Sequence, residues 1–206
     1  MVLIYILDKS VLENYHIAEA FKILNKSQCN ILANLETTDF KHFRKRCIES
    51  VLATDMSNHS KVVTNTSSKI NLLTKESKEF TVTNFLLENK DTNKFELQQD
   101  LINFVLHGID IGHAAKPFEL ELKWADLVTK EFLNQGDTEK EMNLPVSFLC
   151  DRNTSNVPAS QVGFISGIVL PTFQILVSFI PKSKIYVDLI EKAKTEWENL
   201  KNQKVI

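Results

Sequence analysis

The sequence predicts an all-α fold. Apolar residues recur at three- and four-residue steps in several separate stretches, and no stretch alternates apolar and polar residues in the manner of a half-buried strand. Only 5 Gly and 5 Pro stand against 13 Phe in 206 residues, too few turn formers for a β-sandwich or a Gly-rich nucleotide loop, and enough large rings to fill a core between helices. With 43% hydrophobic residues the chain is globular. A chain of this length buries roughly 70% of the surface its unfolded form exposes, so no disulfide staples are needed. The 24 Lys and Arg against 26 Asp and Glu leave a net charge of −2 with both signs interspersed, which excludes nucleic acid as a partner.

The elements follow in order. Met1 to Leu7 is apolar but too short to span a membrane, and it lacks the basic start and small-residue cleavage site of a secretion signal. An apolar run followed at once by an amphipathic pattern reads as the interior of a domain. Ser10 to Leu24 carries the first helical pattern. From Thr37 to Met56 the second places Phe40, Phe43, Cys47, Ile48, Val51, Leu52 and Met56 on one face, with Lys41, Arg44, Lys45, Arg46 and Glu49 on the other. Ser57 to Lys94, dense in Ser, Thr, Asn and Lys, is read as one helix followed by a long exposed connection near Lys75 to Lys94. Helices are expected again over Leu97 to Ile109, over Leu120 to Phe132 with Leu120, Trp124, Leu127 and Val128 facing inward, and over Ile185 to Trp197 with Leu189, Ile190, Ala193 and Trp197 inward.

Asn153 to Pro181 contains no charged residue, and Val162 to Ile180 has the hydropathy of a membrane span. Against that reading stand Gln161, Ser166, Thr172, Gln174, Ser178 and above all Pro171, whose ring frees a carbonyl that lipid cannot satisfy. The alternative is a helix, or two helices broken at Pro171, buried on all sides within a helical domain.

Chemistry-bearing residues are sparse. Cys29, Cys47 and Cys150 are odd in number and widely separated, without a zinc-binding spacing, which points to a reducing compartment. The densest titratable group is His107-Gly-Ile-Asp110-Ile-Gly-His113. On one helix His107 and Asp110 share a face, whereas His113 falls past the helix end after Gly112, and two ligands do not close a tetrahedral site. Asp55 and His59, at i and i+4, suit either metal binding or a surface hydrogen bond. There is no HExxH, GxSxG or P-loop. Gln161 and Phe164, three apart on a helix, present an amide and a flat ring on one side, a combination suited to a purine or equally to a packed core. Glu13 by spacing alone is a helix-surface carboxylate.

These residues sit inside longer blocks. Ser10-Val-Leu-Glu-Asn-Tyr-His resembles the SVLENHH segment of the class I 3′,5′-cyclic-nucleotide phosphodiesterases, and further blocks follow in that family's order. Leu52-Ala-Thr-Asp-Met-Ser-Asn-His59 resembles LATDMSxH, His107 to Pro117 resembles HxADISHPAKP, and Glu131 to Asp137 resembles EEFFxQGD. Leu144 to Asn153 and Ser160 to Ile165 resemble LPxSPLCDR and SQVGFI. His113, where other branches often carry Asn, makes the calcium/calmodulin-stimulated branch the nearest.

The resemblance implies an all-helical catalytic domain that hydrolyses cAMP, cGMP or both to 5′-monophosphates with two metals, zinc and magnesium or manganese, and a bridging hydroxide. It implies that Asp110 is a zinc ligand and that Glu13 orients water at the second metal, near Thr54 to Met56. Gln161 hydrogen-bonds the purine edge and Phe164 stacks on the base, with Val128 on the base's other face and His113 near its edge. The Asn153 to Pro181 stretch becomes buried helices beneath the nucleotide pocket, and a membrane association is not expected.

Departures accompany the match. Tyr15 replaces a family His, Leu7-Asp8 stands for Asn-Asp, Ala114 replaces Pro, and Ser166 replaces an Asp. The upstream HNxxHA block and HD pair, which supply the general acid, both His zinc ligands and the bridging Asp, have no counterpart in this sequence and would lie before Met1. Residues 1–206 are therefore expected to form a single domain, the C-terminal portion of a cytoplasmic catalytic domain. That portion should be inactive alone, and its exposed apolar surface is open to association with another chain. The alternative is a non-catalytic paralogue or truncated form that binds nucleotide or a partner without turnover.

Overall fold

In the computed structural model, residues 9–76 and 92–203 are described, and among them every regular element is helical. The chain divides into two compact units, Met1–His107 and Gly108–Ile206. The apolar start at Met1 to Leu7, Leu7-Asp8 and most of the connection expected near Lys75 to Lys94 lie outside the described residues.

The first unit contains α1 (Val11–Leu24), α2 (Thr37–Leu52), α3 (His59–Glu76) and α4 (Thr92–Asp110), the unit boundary falling within the last turn of α4. Ile17 and Phe21 are the buried residues of α1. Phe21 meets Phe40 of α2 edge to face at 6.4 Å, and the Arg44 guanidinium lies 4.1 Å from the centre of the Phe21 ring. The α2 pattern extends to Met56, but the helix stops at Leu52. There Thr54 Oγ1 donates to the Val51 carbonyl at 2.7 Å and Asp55 accepts from the Ser57 N–H at 2.8 Å, folding residues 56–58 into a separate 3₁₀ turn with Met56 exposed. Between α2 and α4 the interior is polar. Arg46 donates to Gln98 and Gln99 at 3.0 and 3.3 Å, and Gln99 donates onward to Ser50 Oγ and Asn103 Oδ1. Burial of both glutamines is tolerable because these amides are partnered.

The second unit follows with a 3₁₀ turn (Gly112–Ala115), α5 (Phe118–Glu141), α6 (Val157–Phe164), a π turn (Ile165–Val169), α7 (Leu170–Phe179), a 3₁₀ turn (Pro181–Ser183) and α8 (Lys184–Gln203). Its core joins Ala114, Ala115, Ala125, Ile165, Val169, Phe173, Val187, Ile190, Ala193 and Trp197. Ile165, Val169 and Phe173 recur every four residues, the spacing of one helix face. Full burial of an aliphatic side chain of this kind is worth roughly 1.5–3 kcal/mol.

Two expectations for this unit require correction. The stretch Val157–Phe179 is long and apolar enough to cross a membrane, but as a core helix it is not buried on all sides: only 28% of its most apolar window is buried, with Gly163, Ser166, Gly167, Gln174 and Ser178 outward. Nor does Pro171 break it. The turn before Pro171 widens to π geometry, with the Leu170 N–H reaching the Ile165 carbonyl, so the register slips by one residue where the proline ring needs room and the helix continues. On α5 the inward face is also rotated from the expected one. Leu120, Trp124 and Leu127 are exposed and Val128 is half-buried, whereas Glu121, Ala125 and Gly136 are buried. The helix approaches its neighbours through its smallest side chains. At Gly136 an added Cβ would sit 1.9 Å from the Cys150 carbonyl oxygen. That close approach is locked by Arg152 to Asp137 at 2.6 Å and Lys140 to Asp151 at 2.6 Å.

Candidate functional site

In the first unit, α1 begins with Ser10 in the left-handed region, at φ 45°, and its hydroxyl does not cap the helix but donates to Asp55 Oδ2 at 2.6 Å. That bond, aided by the Ser57 N–H, holds the Asp55 carboxyl below its ordinary range. Glu13, half-buried in the first turn of α1, faces the same open cleft as Ser10, Asp55, Ser57 and Asn58. Asp55 and His59, paired by spacing, part company: His59 Nδ1 turns to His107 Nε2 at 2.8 Å, with the rings 5.1 Å apart. His107 is fully buried, and burial pushes the His59 imidazole below its usual value. His107 and Asp110 lie three apart on α4, where the first is enclosed and the second is exposed at the helix end.

In the second unit, Gln161 and Phe164 lie on α6 as the spacing predicts. Gln161 is 7% exposed, and among the described residues its Oε1 has no hydrogen-bond partner. A buried carbonyl oxygen left unpaired costs about 1–3 kcal/mol, which a donor on a bound molecule would recover. Phe164 is half-buried against the core and stacks in parallel with His113, centroids 5.5 Å apart at 6°. His113 lies in the 3₁₀ turn past α4, as expected from Gly112. Val128 is half-buried on α5.

One part of this group was invisible in the sequence. Glu121, with no exposed surface, accepts from the Trp197 Nε1–H at 3.0 Å and from His113 Nδ1 at 2.5 Å. Glu121 and Trp197 lie far apart in the chain, and the only local hint was a carboxylate among apolar neighbours on a helix whose inward face was misjudged.

Among the described residues the donor set does not complete a catalytic metal site. Among the described residues no three His, Cys, Asp or Glu side chains come together, whereas a catalytic zinc normally takes three protein ligands.

A profile for 3′5′-cyclic nucleotide phosphodiesterase matches residues 2–190. The chain is 36% identical over 191 residues to a probable 3′,5′-cyclic-AMP phosphodiesterase, pde-4, of Caenorhabditis elegans, covering 92% of this chain and 27% of the relative. It is 39% identical over 165 residues to a probable 3′,5′-cyclic phosphodiesterase, pde-1, of the same organism, covering 80% and 22%. The chain thus spans about a quarter of the length of these curated relatives. Among solved structures, the phosphodiesterase domain of the RhoPDE fusion protein from the choanoflagellate Salpingoeca rosetta superposes with a TM-score of 0.85 at 30% identity, over 98% of this chain and 60% of that one. LmjPDEB1 in complex with IBMX gives 0.79 at 25% identity over 94% and 54%. With its sequence blocks in order, its all-helical fold and a match over nearly its whole length, the chain belongs to the class I 3′,5′-cyclic-nucleotide phosphodiesterase family.

Proposed function

We propose that this chain binds the purine of a 3′,5′-cyclic nucleotide, as part of a domain that hydrolyses such nucleotides to 5′-monophosphates in signal transduction. The observation that carries the reading is the Gln161 side chain, buried with its Oε1 unpartnered, three residues from a ring that can stack on a base. A primary amide offers one acceptor and two donors in a plane, matching the donor and acceptor pair on a purine edge. Phe164 supplies stacking worth about 1–3 kcal/mol. Val128 supplies apolar contact to the base's other face, and His113 a ring nitrogen near its edge.

Family membership also supports roles for Asp110 as a metal ligand and Glu13 as a carboxylate that orients water. The residues in hand do not gather a metal site, so no step of hydrolysis is assigned to them. The runner-up, binding without turnover, is favoured for the isolated chain by that same finding, and cytoplasmic residence accords with its unpaired cysteines.

The test is calorimetric titration of the purified chain with cAMP and cGMP, alongside Gln161→Ala and Phe164→Ala. Saturable binding of at least one nucleotide, weakened about tenfold by loss of the ring, is the expected result. Binding that is absent, or unaffected by both substitutions, overturns the reading.

A further inference from the structure

Residues 22–46 lie between the blocks at 10–16 and 52–59 that carry the family resemblance, and no motif assigns them a task. Their charge is unlike that of the rest of the chain. Lys22, Lys26, Lys41, Arg44, Lys45 and Arg46 stand against two acidic residues, Glu36 and Asp39, a net charge of +4 in a chain whose total is −2. Arg46 turns inward to Gln98 and Gln99, but the other five cationic residues are exposed. Lys22 meets Glu19 at 2.6 Å and Lys45 meets Glu49 at 3.7 Å, both pairs open to solvent, where an ion pair is weak and readily exchanged for another.

The same end of the first unit displays aliphatic side chains. Ile31 is 84% exposed, Ile23 50% and Leu35 42%, and none of residues 25–36 is buried. This connection is folded rather than extended, since the Ile31 N–H reaches the Cys29 carbonyl and the Leu35 N–H the Leu32 carbonyl, each at 3.0 Å. Phe21 against Phe40, with the Arg44 guanidinium over the Phe21 ring, holds the end of α1 beside the first two turns of α2, where Lys41, Arg44 and Lys45 lie. Cations and bare aliphatic groups therefore share one region of surface. Cations alone would suit any acidic partner, whereas Ile23, Ile31 and Leu35 gain only where they leave water. An anionic bilayer surface offers both at once, charged headgroups with hydrocarbon immediately beneath them.

We infer that the end of the first unit formed by α1, its connection to α2 and the start of α2 docks on an anionic membrane surface: Ile31 enters the headgroup boundary while Lys22, Lys26, Lys41, Arg44 and Lys45 meet lipid phosphates. Glu36 and Asp39 oppose the attraction and are outnumbered. No spanning segment takes part, and the docking is independent of the purine clamp at Gln161 and Phe164. Each basic residue brought to such a surface strengthens binding about fivefold, and the effect falls off within a screening length.

The experiment is flotation of the full chain on a density gradient with vesicles, so that vesicle-bound protein rises and aggregated protein sinks. Two compositions are compared, phosphatidylcholine alone and phosphatidylcholine with roughly a third phosphatidylserine. The chain should float with the second and far less with the first, and raising salt from about 0.1 M to about 1 M, which shortens the screening length from about 10 Å to about 3 Å, should release it. Lys26→Gln, Lys41→Gln and Lys45→Gln combined should lower the bound-to-free ratio at least about tenfold, and Ile31→Ser at least about threefold. These four side chains are exposed, so circular dichroism of both variants should match the parent. Leu127→Ser, on the exposed apolar face of α5, should leave flotation unchanged. Equal flotation with both compositions, a change within twofold in both variants, or a loss in Leu127→Ser as large as that in Ile31→Ser overturns the proposal and assigns any lipid contact to the apolar surface of the second unit. Retention on polyglutamate without flotation on either vesicle assigns the cations to an acidic protein and overturns it as well.

Discussion

At the residue scale the informative features are polar groups whose burial is only partly compensated. Gln161 is the plainest case. Because its Oε1 is buried without a donor among the described residues, Gln161→Leu is expected to leave the denaturation midpoint unchanged or raised while abolishing nucleotide binding, a pairing that a structural glutamine could not produce. Urea denaturation and calorimetry on the same samples check it. His59 is a second case, and it titrates. Its imidazole is held below the ordinary value by burial against His107, so the unfolded chain takes up a proton at higher pH than the folded one. The contribution is fully present above about pH 6.5, the unfolded value, and is lost as pH falls toward the lower folded value. Urea midpoints measured at pH 7.5 and 5.5 should drop on acidification, and His59→Phe should shrink that drop. A larger drop in the variant would show that another group governs the transition.

At the scale of elements, small residues and one proline determine how the helices of the second unit fit. Gly136 permits α5 to pass the backbone of Cys150, and no flexible side-chain end is available to yield, because the atom in the way is a carbonyl oxygen. Gly136→Ala should therefore destabilise despite the better helix propensity of alanine. A loss of about 2 kcal/mol or more is expected, near the middle of the range for overpacked cores, against a gain of at most about 1 kcal/mol from propensity. Chemical denaturation followed by circular dichroism measures the net sign. Gly163 and Gly167 meet nothing within 4 Å of an added Cβ, so alanine at either position should be neutral or stabilising, which provides the control. The π turn before Pro171 makes the same point for a helix that was expected to be wholly buried or broken. An apolar stretch tolerates a proline in its middle once the preceding turn has widened to accommodate it.

At the scale of the whole molecule the decisive quantity is the inventory of metal donors. No three His, Cys, Asp or Glu side chains meet among the described residues, and the chain spans 60% of the solved phosphodiesterase domain it matches at a TM-score of 0.85. The 206-residue chain alone is expected to hold far less than one zinc per molecule and to hydrolyse neither cAMP nor cGMP when zinc and magnesium are supplied. Elemental analysis of the purified chain together with a phosphate-release assay on both nucleotides tests this. Turnover within a few fold of a complete family enzyme, lost in Asp110→Ala, would show that histidines of this chain had been recruited as ligands. Apolar side chains on α5, including Leu120, Trp124 and Leu127, are exposed, so poor solubility or self-association is the expected companion of that inactivity.

The sequence by itself determined the helices, because their periodicity is local, and the family, because the ordered blocks from Ser10 to Ile165 are specific. It also placed Gln161 and Phe164 together, since residues three apart on a helix need no tertiary information to meet. What lay beyond it was every contact that joins distant segments: Ser10 to Asp55, His59 to His107, and Glu121 to both His113 and Trp197. The orientation of α5 failed for the same reason. A hydropathy pattern places the leucines and Trp124 inward, yet a glutamate can be buried where an indole and an imidazole partner its two oxygens, and alanine and glycine then allow the closest approach. Periodicity records which side chains avoid water, whereas only the tertiary structure decides which polar groups find partners after leaving it.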